Sequence, residues 1–370
     1  MTIIKVTPRD PLIARDGRAS GDNMRSLDWI LPSVFAGSLR TLLGKQRGMK
    51  FDDADRVALQ EIFIRGPLPF FNEKIYFPKP ADYVVAENPD ATGKVYAARP
   101  VEKYCADEGT DLPSGLLPVM LPKSDVEDFK PKKTAAFWSA EKMSEWLLKE
   151  NVDGDDFDDS KTLSAPEKDE RTHVKIDPRT GAAEESQLFS TTGLDCTHKN
   201  GETLQLAAEI IKEGKFTEAL KELDVLAPLG GERRLAHWQT QPPEKSIFPT
   251  VPEWLKAVKT GDKIRLILAT PARFNNGWRP GWLNRDKGLN TIPHTAVKVR
   301  LVGAAVERWQ PVSGWSYKTG EPKPTRRLVP AGSVYFFEVE QGGDLSGAWL
   351  NSVGDREQDD GYGLALFGKW

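Results

Sequence analysis

The chain has 370 residues, 39% of them hydrophobic, with 54 acidic side chains against 51 basic ones and a formal net charge of −3. That length exceeds a usual single domain, so two domains, each burying a core, are expected. No segment approaches the ~20 apolar residues that span a bilayer, and Met1–Val6 lacks a basic, then apolar, export pattern, so a cytoplasmic protein is expected.

The opening segment reads as a strand through Ile3, Ile4 and Val6, followed by a loop from Pro8 to Leu31 dense in Arg, Asp and Gly. A helix follows: Pro32 suits its first turn, Val34, Phe35, Leu39, Leu42 and Leu43 share a face, and Gly44 and Gly48 mark its end. Glu61–Leu68 and Lys74–Pro78 are apolar runs broken by turn residues, which predicts a hairpin. From Asp82 to Glu170 the chain is rich in Pro, Lys and Asp, with one helix expected around Ala135 to Leu148. Val174–Asp177 and Gln187–Ser190 flank Pro178-Arg179-Thr180-Gly181, which predicts a projecting β-hairpin. Leu204–Ile211 reads as a strand, Phe216, Leu220, Leu223 and Leu226 as a helical stripe, and Gly230–Leu235 as the start of a closing strand.

Without the insertion and its hairpin, the order is strand, helix, strand, strand, helix, strand, the ferredoxin-like or split βαβ arrangement. The remaining chain repeats it: a strand over Lys263–Thr270, a short helix near Trp282, a long hairpin from Thr295 to Glu340, a helix over Leu345–Val353, and a final strand within Gly361–Trp370. The expected fold is therefore α+β, two ferredoxin-like (RRM-like) domains in tandem. The first covers 1–245, with a large insertion at about 82–200 that includes the projecting β-hairpin; the second covers 246–370 and ends in a glycine-rich turn and a final strand.

Most catalytic and cofactor patterns fail on inspection. Gly363 to Lys369 has P-loop spacing, but Trp370 replaces the hydroxyl residue and no helix follows; Leu366 stands where a dinucleotide fingerprint needs its third glycine. Ser139-Ala140-Glu141-Lys142 and Lys318-Thr319-Gly320 imitate the motifs of penicillin-binding enzymes, yet the intervening Ser-x-Asn is missing. The acidic run Asp153–Asp159 lacks the glycine and terminal glutamate of a calcium loop and predicts a solvated loop. Cys105 and Cys196 cannot make a disulfide framework or a four-ligand zinc site, and Cys196-Thr197-His198 has no second pair nearby, so a reduced thiol is expected and neither metal nor cofactor. Of the general-base candidates His173, His198, His237 and His294, only His173 sits among cations, between Arg171 and Lys175.

Charge is unevenly spread. Between Lys263 and Arg327 thirteen basic residues face only Asp286, Glu307 and Glu321, and the first fifty residues are basic on balance, so two basic regions flank an acidic middle. Thr270–Trp282 and Trp315–Lys318, with Arg326-Arg327 beyond, mix cations with aromatic rings. That is the footprint of an unpaired nucleic-acid strand, because cations neutralise phosphates while rings stack on bases.

Eight segments, in order along nearly the whole chain, carry a family resemblance: Ile13–Arg18, Leu31-Pro32-Ser33 through Gly37–Arg40, Arg171–Asp177 with Gln187–Ser190, Leu229–Arg234, Thr270-Pro271-Ala272, Gly277-Trp278, Pro330–Tyr335 and Gly361-Tyr362-Gly363. The set resembles the third-subunit family of the Cmr complex, the type III-B CRISPR effector, within the RAMP superfamily. The resemblance implies a subunit without catalytic residues that grips the 5′ repeat-derived tag of the CRISPR RNA and joins the large cyclase-like (polymerase-like) subunit to the backbone RAMP subunit. It makes the Arg171–Ser190 hairpin a thumb at the junction of tag and guide. The implied RNA-binding set is Arg15, Arg18, Arg40, Arg171, His173, Lys175, Arg179, Arg233, Arg273, Arg279, Arg326, Arg327, Gly361 and Gly363. Two departures stand out: Ala19-Ser20 where a bulkier aromatic is expected, and Ser186 where a glycine is usual. The rival is a metal-independent RAMP endoribonuclease that cuts CRISPR repeat RNA and uses His173; a third reading places a nucleotide at the interface with the large subunit.

Overall fold

A computed structural model describes residues 2–15, 23–24, 26–87, 93–102, 111–121, 131–198, 201–241, 246–283, 290–316 and 319–370; Arg18, Cys105 and Lys318 lie outside them. The fold mixes α and β, with mostly antiparallel sheets and few helices. It forms two compact units that interleave along the sequence: one holds 1–71, 165–245 and 310–327, the other 72–164, 246–309 and 328–370. A single boundary near 245 therefore does not separate them. Residues 72–164, expected inside the first domain, belong with the C-terminal sheet instead.

In the first unit, five antiparallel strands run in the order Phe63–Phe71, Gln205–Lys212, Thr2–Pro8, Leu235–Thr240 and Asp224–Pro228. Alternation along the opening strand sends Ile4 and Val6 into the core. Helix Pro32–Gln46 packs on that face with proline at its start, where the missing N–H costs no helical bond. Phe35, Leu39 and Leu43 are buried, and the Phe35 ring lies 5.1 Å from that of Trp238. Each such side chain contributes about 1.5–3 kcal/mol.

The stripe from Phe216 to Leu226 is not one helix. The helix spans only Thr217–Lys221, and Asp224–Pro228 instead pairs with Leu235–Thr240, which leaves Leu226 exposed. Strand pairing gives Asp224–Pro228 backbone partners that a helix end would leave unbonded. A short helix, Asp53–Gln60, escapes the periodicity because it buries only Leu59; the Asp52 side chain caps it by accepting from the Asp55 N–H at 2.9 Å. The projecting hairpin pairs Glu167–Ile176 with Ala183–Asp195, longer than expected, and Asn23–Met24 runs parallel beside Ser190 and Thr191.

In the second unit, four antiparallel strands run in the order Lys298–Ala305, Val334–Gln341, Lys263–Leu268 and Ala365–Lys369. Numbered along the chain, these lie second, third, first, fourth, and four of the first unit's strands repeat that order. The helices expected here are missing from the described residues. Only a short 3-10 turn, Ser346–Ala348, stands in Leu345–Val353. Other segments cover the sheet. On one face Trp278 stacks on Tyr335 at 6.5 Å, Trp282 lies 5.9 Å from Phe337, and the Tyr335 hydroxyl donates to the Trp278 carbonyl at 2.5 Å.

The other face, carrying Arg265, Phe336 and Gly368, receives helix Ala140–Leu148 from the supposed insertion. A β-carbon on Gly368 would sit 2.5 Å from the Leu147 carbonyl oxygen, so only glycine admits the helix this closely. The same insertion is bonded to the sheet elsewhere: Ala81 N–H donates to the Gly332 carbonyl at 2.8 Å and Leu117 N–H to that of Val302 at 2.8 Å. Its acidic run, expected as a solvated loop, partly forms a strand, Asp153–Asp156, beside Gly93–Ala97, with Asp156 paired to Lys94 at 2.5 Å and Asp155 to Lys149 at 2.8 Å.

Beneath the helix lies a buried ionic cluster. The Asp82 carboxylate accepts from Arg99 and Arg265 at 2.6 Å each and from the Trp146 indole at 3.0 Å. The two guanidiniums also donate to the carbonyls of Trp146, Lys149 and Glu150, at and just beyond the helix end. Burial and the neighbouring Arg265 push Arg99 down to about 10. Thus two cations face one carboxylate, and the negative end of the helix supplies the remaining compensation.

Candidate nucleic-acid interface

In the first unit, residues 12–15 tie three of the expected RNA-binding elements together. Leu12 and Leu194 exchange backbone hydrogen bonds at 3.0 and 2.7 Å, which fixes the root of the projecting hairpin. One residue on, the Ile13 carbonyl accepts from Gly231 N–H at 3.0 Å. A β-carbon on Gly230, at φ 80°, would lie 2.8 Å from that same oxygen and 3.8 Å from Val34 in the first turn of helix Pro32–Gln46. Hairpin root, glycine loop and helix start therefore form one bonded frame.

The glycine loop is strained and positive. Glu232 and Arg233 hold left-handed backbones at φ 54° and 53°, a conformation that costs side-chain-bearing residues about 1–3 kcal/mol each. The helix beside it has no acid in its first turn, so its positive end is not offset there. Arg233 is exposed and Arg234 half-buried. Neither is paired with a carboxylate among the described residues, and Arg234 Nε is buried without a hydrogen-bond partner. Arg234 was not among the sequence candidates; its signal was adjacency to Arg233 behind two glycines.

The hairpin's cations are each offset locally. Arg171 meets Asp169 at 2.7 Å, which raises its pKa, Lys175 meets Glu184 at 2.7 Å, and Arg179 meets Asp177 at 3.5 Å. These pairs are exposed, so each contributes little, and a phosphate can replace the carboxylate. His173 shares a hydrogen bond with the Thr191 hydroxyl at 2.9 Å and stacks on Phe189 at 5.2 Å. Register places His173 opposite Phe189 and Val174 opposite Leu188, so a basic and aromatic face backs an exposed aliphatic one.

Other candidates are differently placed. Arg15 is exposed, its backbone bridged to Ser26. Arg40 points into its own unit and donates to the Ile62 carbonyl at 2.8 Å, so it is a structural residue rather than a surface cation. Arg326 and Arg327 lie half-buried and exposed on strand Arg326–Leu328. In the second unit Arg273 lies 3.4 Å from Glu357, and Arg279 is half-buried with no hydrogen bond to its Nε. Arg265, counted in the basic stretch, is wholly buried in the ionic cluster.

Two expectations are corrected outright. Gly361 and Gly363 are buried: Thr270 donates to the Gly361 carbonyl at 2.8 Å, and a β-carbon on Gly363 would lie 2.8 Å from the Gly354 amide. At Gly363 the close approach that its φ of 73° permits is taken by this chain's own backbone. Trp278 and Trp282 likewise spend their rings on Tyr335 and Phe337, because a sheet without a helix there needs an apolar cover.

The remaining polar candidates are engaged in the fold. His198 lies 4.8 Å from the Phe71 ring, His237 pairs with Asp224, and His294 shares a hydrogen bond with the Ser352 carbonyl at 2.9 Å. Burial pushes the Cys196 thiol up to about 12. Among the described residues no three His, Cys, Asp or Glu side chains are grouped to hold a metal ion, and no helix is long and apolar enough to cross a membrane.

The profile of a family described as "CRISPR-associated protein (Cas_Cmr3)" matches residues 4–370. None of the curated proteins matches the chain. Among solved structures, it is similar to a chain of the type III-B Cmr-beta complex bound to cognate target RNA and AMPPnP, at 15% identity and TM-score 0.48, over 90% of this chain and 86% of that one. A chain of the same complex bound to cognate target RNA gives 15% identity and TM-score 0.46, with the same shares, 90% and 86%. A chain of the Csm3-Csm4 subcomplex of the type III-A CRISPR-Cas interference complex gives 10% and 0.41, over 94% of this chain and 97% of that one.

Proposed function

The chain belongs to the CRISPR-associated Cas_Cmr3 family, and from that premise we propose that it is a non-catalytic subunit of a type III-B RNA-guided effector. It is the third subunit of the Cmr complex, a RAMP protein of two ferredoxin-like domains in tandem, and the repeated strand order of the two sheets supports that architecture. It holds the repeat-derived 5′ tag of the CRISPR RNA and joins the large cyclase-like subunit to the backbone RAMP subunit. The protein fixes an RNA end in place while guide pairing reads the target, the division of labour in RNA-guided effectors.

One observation carries the RNA role: among the described residues Arg233 and Arg234 stand without carboxylate partners on a strained glycine loop, beside a helix start with no acid in its first turn and bonded through residues 12–15 to the hairpin root. Guanidiniums without carboxylate partners beside the positive end of a helix call for an anion from outside the chain. The offset cations of the hairpin extend the same surface.

Fluorescence anisotropy of the full chain with tag-bearing RNA tests this. Replacing Arg233 and Arg234 by Gln is expected to weaken binding at least about tenfold and to flatten the salt slope by about 0.7 for each phosphate no longer neutralised. Unchanged affinity and slope would overturn it. Co-purification with the large and backbone subunits tests the bridging role. Specific cleavage of repeat RNA in EDTA, lost in His173→Ala, would replace the non-catalytic assignment with the endoribonuclease one.

A further inference from the structure

The loop over residues 273–281 in the second unit is stapled by one carboxylate. Asp355 Oδ2 accepts from the Asn275 N–H at 2.8 Å and from the Gly281 N–H at 2.9 Å, so it closes the loop at both ends. A β-carbon on Gly281 would lie 2.5 Å from that oxygen, so glycine is what admits the carboxylate. The staple is reinforced on both sides: Asp355 N–H donates to the Arg273 carbonyl at 3.0 Å, and Arg356 Nε donates to Asn275 Oδ1 at 3.1 Å. Within the loop, Phe274 bridges to Gly277 and Asn276 to Arg279, with Gly277 at φ 73°, which makes a tight turn whose tip, Asn275-Asn276-Gly277, is exposed.

Such a build exceeds what covering the sheet requires. The stacked Trp278 and the Trp282 indole, which donates to the Val353 carbonyl at 2.9 Å, already anchor the loop. What the staple adds is a fixed tip beside Arg279. That side chain is half-buried and no described carboxylate pairs with it, whereas its neighbour Arg273 has Glu357. A partly exposed guanidinium with no carboxylate of its own can take an acceptor from outside the chain.

We infer that Asp355 is a positioning residue that holds loop 273–281 so that Arg279 and the amide-bearing tip bind one phosphodiester of an unpaired RNA strand. The inference rests on the RNA-binding role proposed above and adds a second anchoring point to it, in the other unit of the fold. Phosphate is the acceptor that fits a guanidinium fork beside backbone and asparagine N–H donors. The loop tip, not the tryptophans, is then the part of Thr270–Trp282 that meets RNA.

A double-mutant cycle on the full chain at low salt tests it, with Arg279→Gln, Asp355→Asn and the pair. Each single variant is expected to lose about tenfold in affinity for unpaired RNA, and Arg279→Gln to flatten the salt slope by about 0.7. The double variant is expected to lose less than the two single losses combined, because Asp355 acts through the placement of the arginine and the loop tip that share one phosphate. Thermal unfolding of each variant checks that the fold persists; losses that simply add in the double variant would show Asp355 to be merely structural and overturn the inference. Normal binding by Arg279→Gln, while the Arg233 and Arg234 variants weaken, would overturn this inference and leave the proposed function standing. No RNA binding by the unaltered chain would overturn both.

Discussion

Asp82 and Arg265, 183 positions apart, meet at 2.6 Å with neither side chain exposed. The carboxylate sits in the supposed insertion and the guanidinium on the C-terminal sheet, so one buried ion pair locks the insertion's helix to the strands it covers. Arg99 completes the cluster by donating to the same carboxylate oxygen.

Asp82→Asn would leave two buried guanidiniums facing only helix-end carbonyls. Removing one partner of a buried pair costs about 3–5 kcal/mol. Urea unfolding followed by circular dichroism is expected to show a loss of that size; a loss below about 1 kcal/mol would mean that water reaches the cluster.

Gly368→Ala and Gly37→Ala should move stability in opposite directions. A methyl on Gly368 meets the Leu147 carbonyl oxygen at 2.5 Å, whereas one on Gly37, inside helix Pro32–Gln46, meets nothing within 4 Å. Overpacking at the first costs about 1–3 kcal/mol, and better helix propensity at the second adds about 0.5–1 kcal/mol. Melting temperatures of the two variants against the parent provide the check.

A fragment spanning 246–370 is expected not to fold by itself. It would lack helix Ala140–Leu148, the Asp82 carboxylate, and the segments that bond to Gly332 and Val302. Dispersed amide resonances from that fragment would refute the expectation, and restoring 72–164 in the same chain should recover them.

Cys196 should be chemically silent while the protein is folded. In a Cys105→Ser background, burial holds the thiol protonated, its pKa pushed from 9.0 to about 12, so alkylation at pH 8 is expected only as fast as the surrounding strands open. The unfolded chain loses this proton first, so the thiol's share of stability is intact below pH 9.0 and declines from there toward about 12. Comparing unfolding across that range with Cys196→Ala isolates the effect.

The strands were legible because alternation is a local property: Ile3 to Val6, Lys263–Leu268 and Val334–Gln341 announce themselves residue by residue. The hairpin was legible from Pro178 to Gly181 for the same reason. What was not legible depends on distant partners. Nothing near Trp278 tells that its ring covers Tyr335 rather than a base, and nothing near Leu345–Val353 tells that a helix from 140–148 serves that sheet instead. Charge was the least legible of all. Arg40, Arg265 and Arg279 read alike in sequence, yet one serves a carbonyl, one is sealed in a salt cluster and one has no carboxylate partner among the described residues.

The enclosed turn at Gly361 and Gly363 changes how variation there should be weighed. Selection at these two sites acts first on whether the final strand can close its sheet, so both would persist in a descendant that had lost every ligand. Their invariance would record solubility, and a library screened only for interference would score their loss as a binding defect.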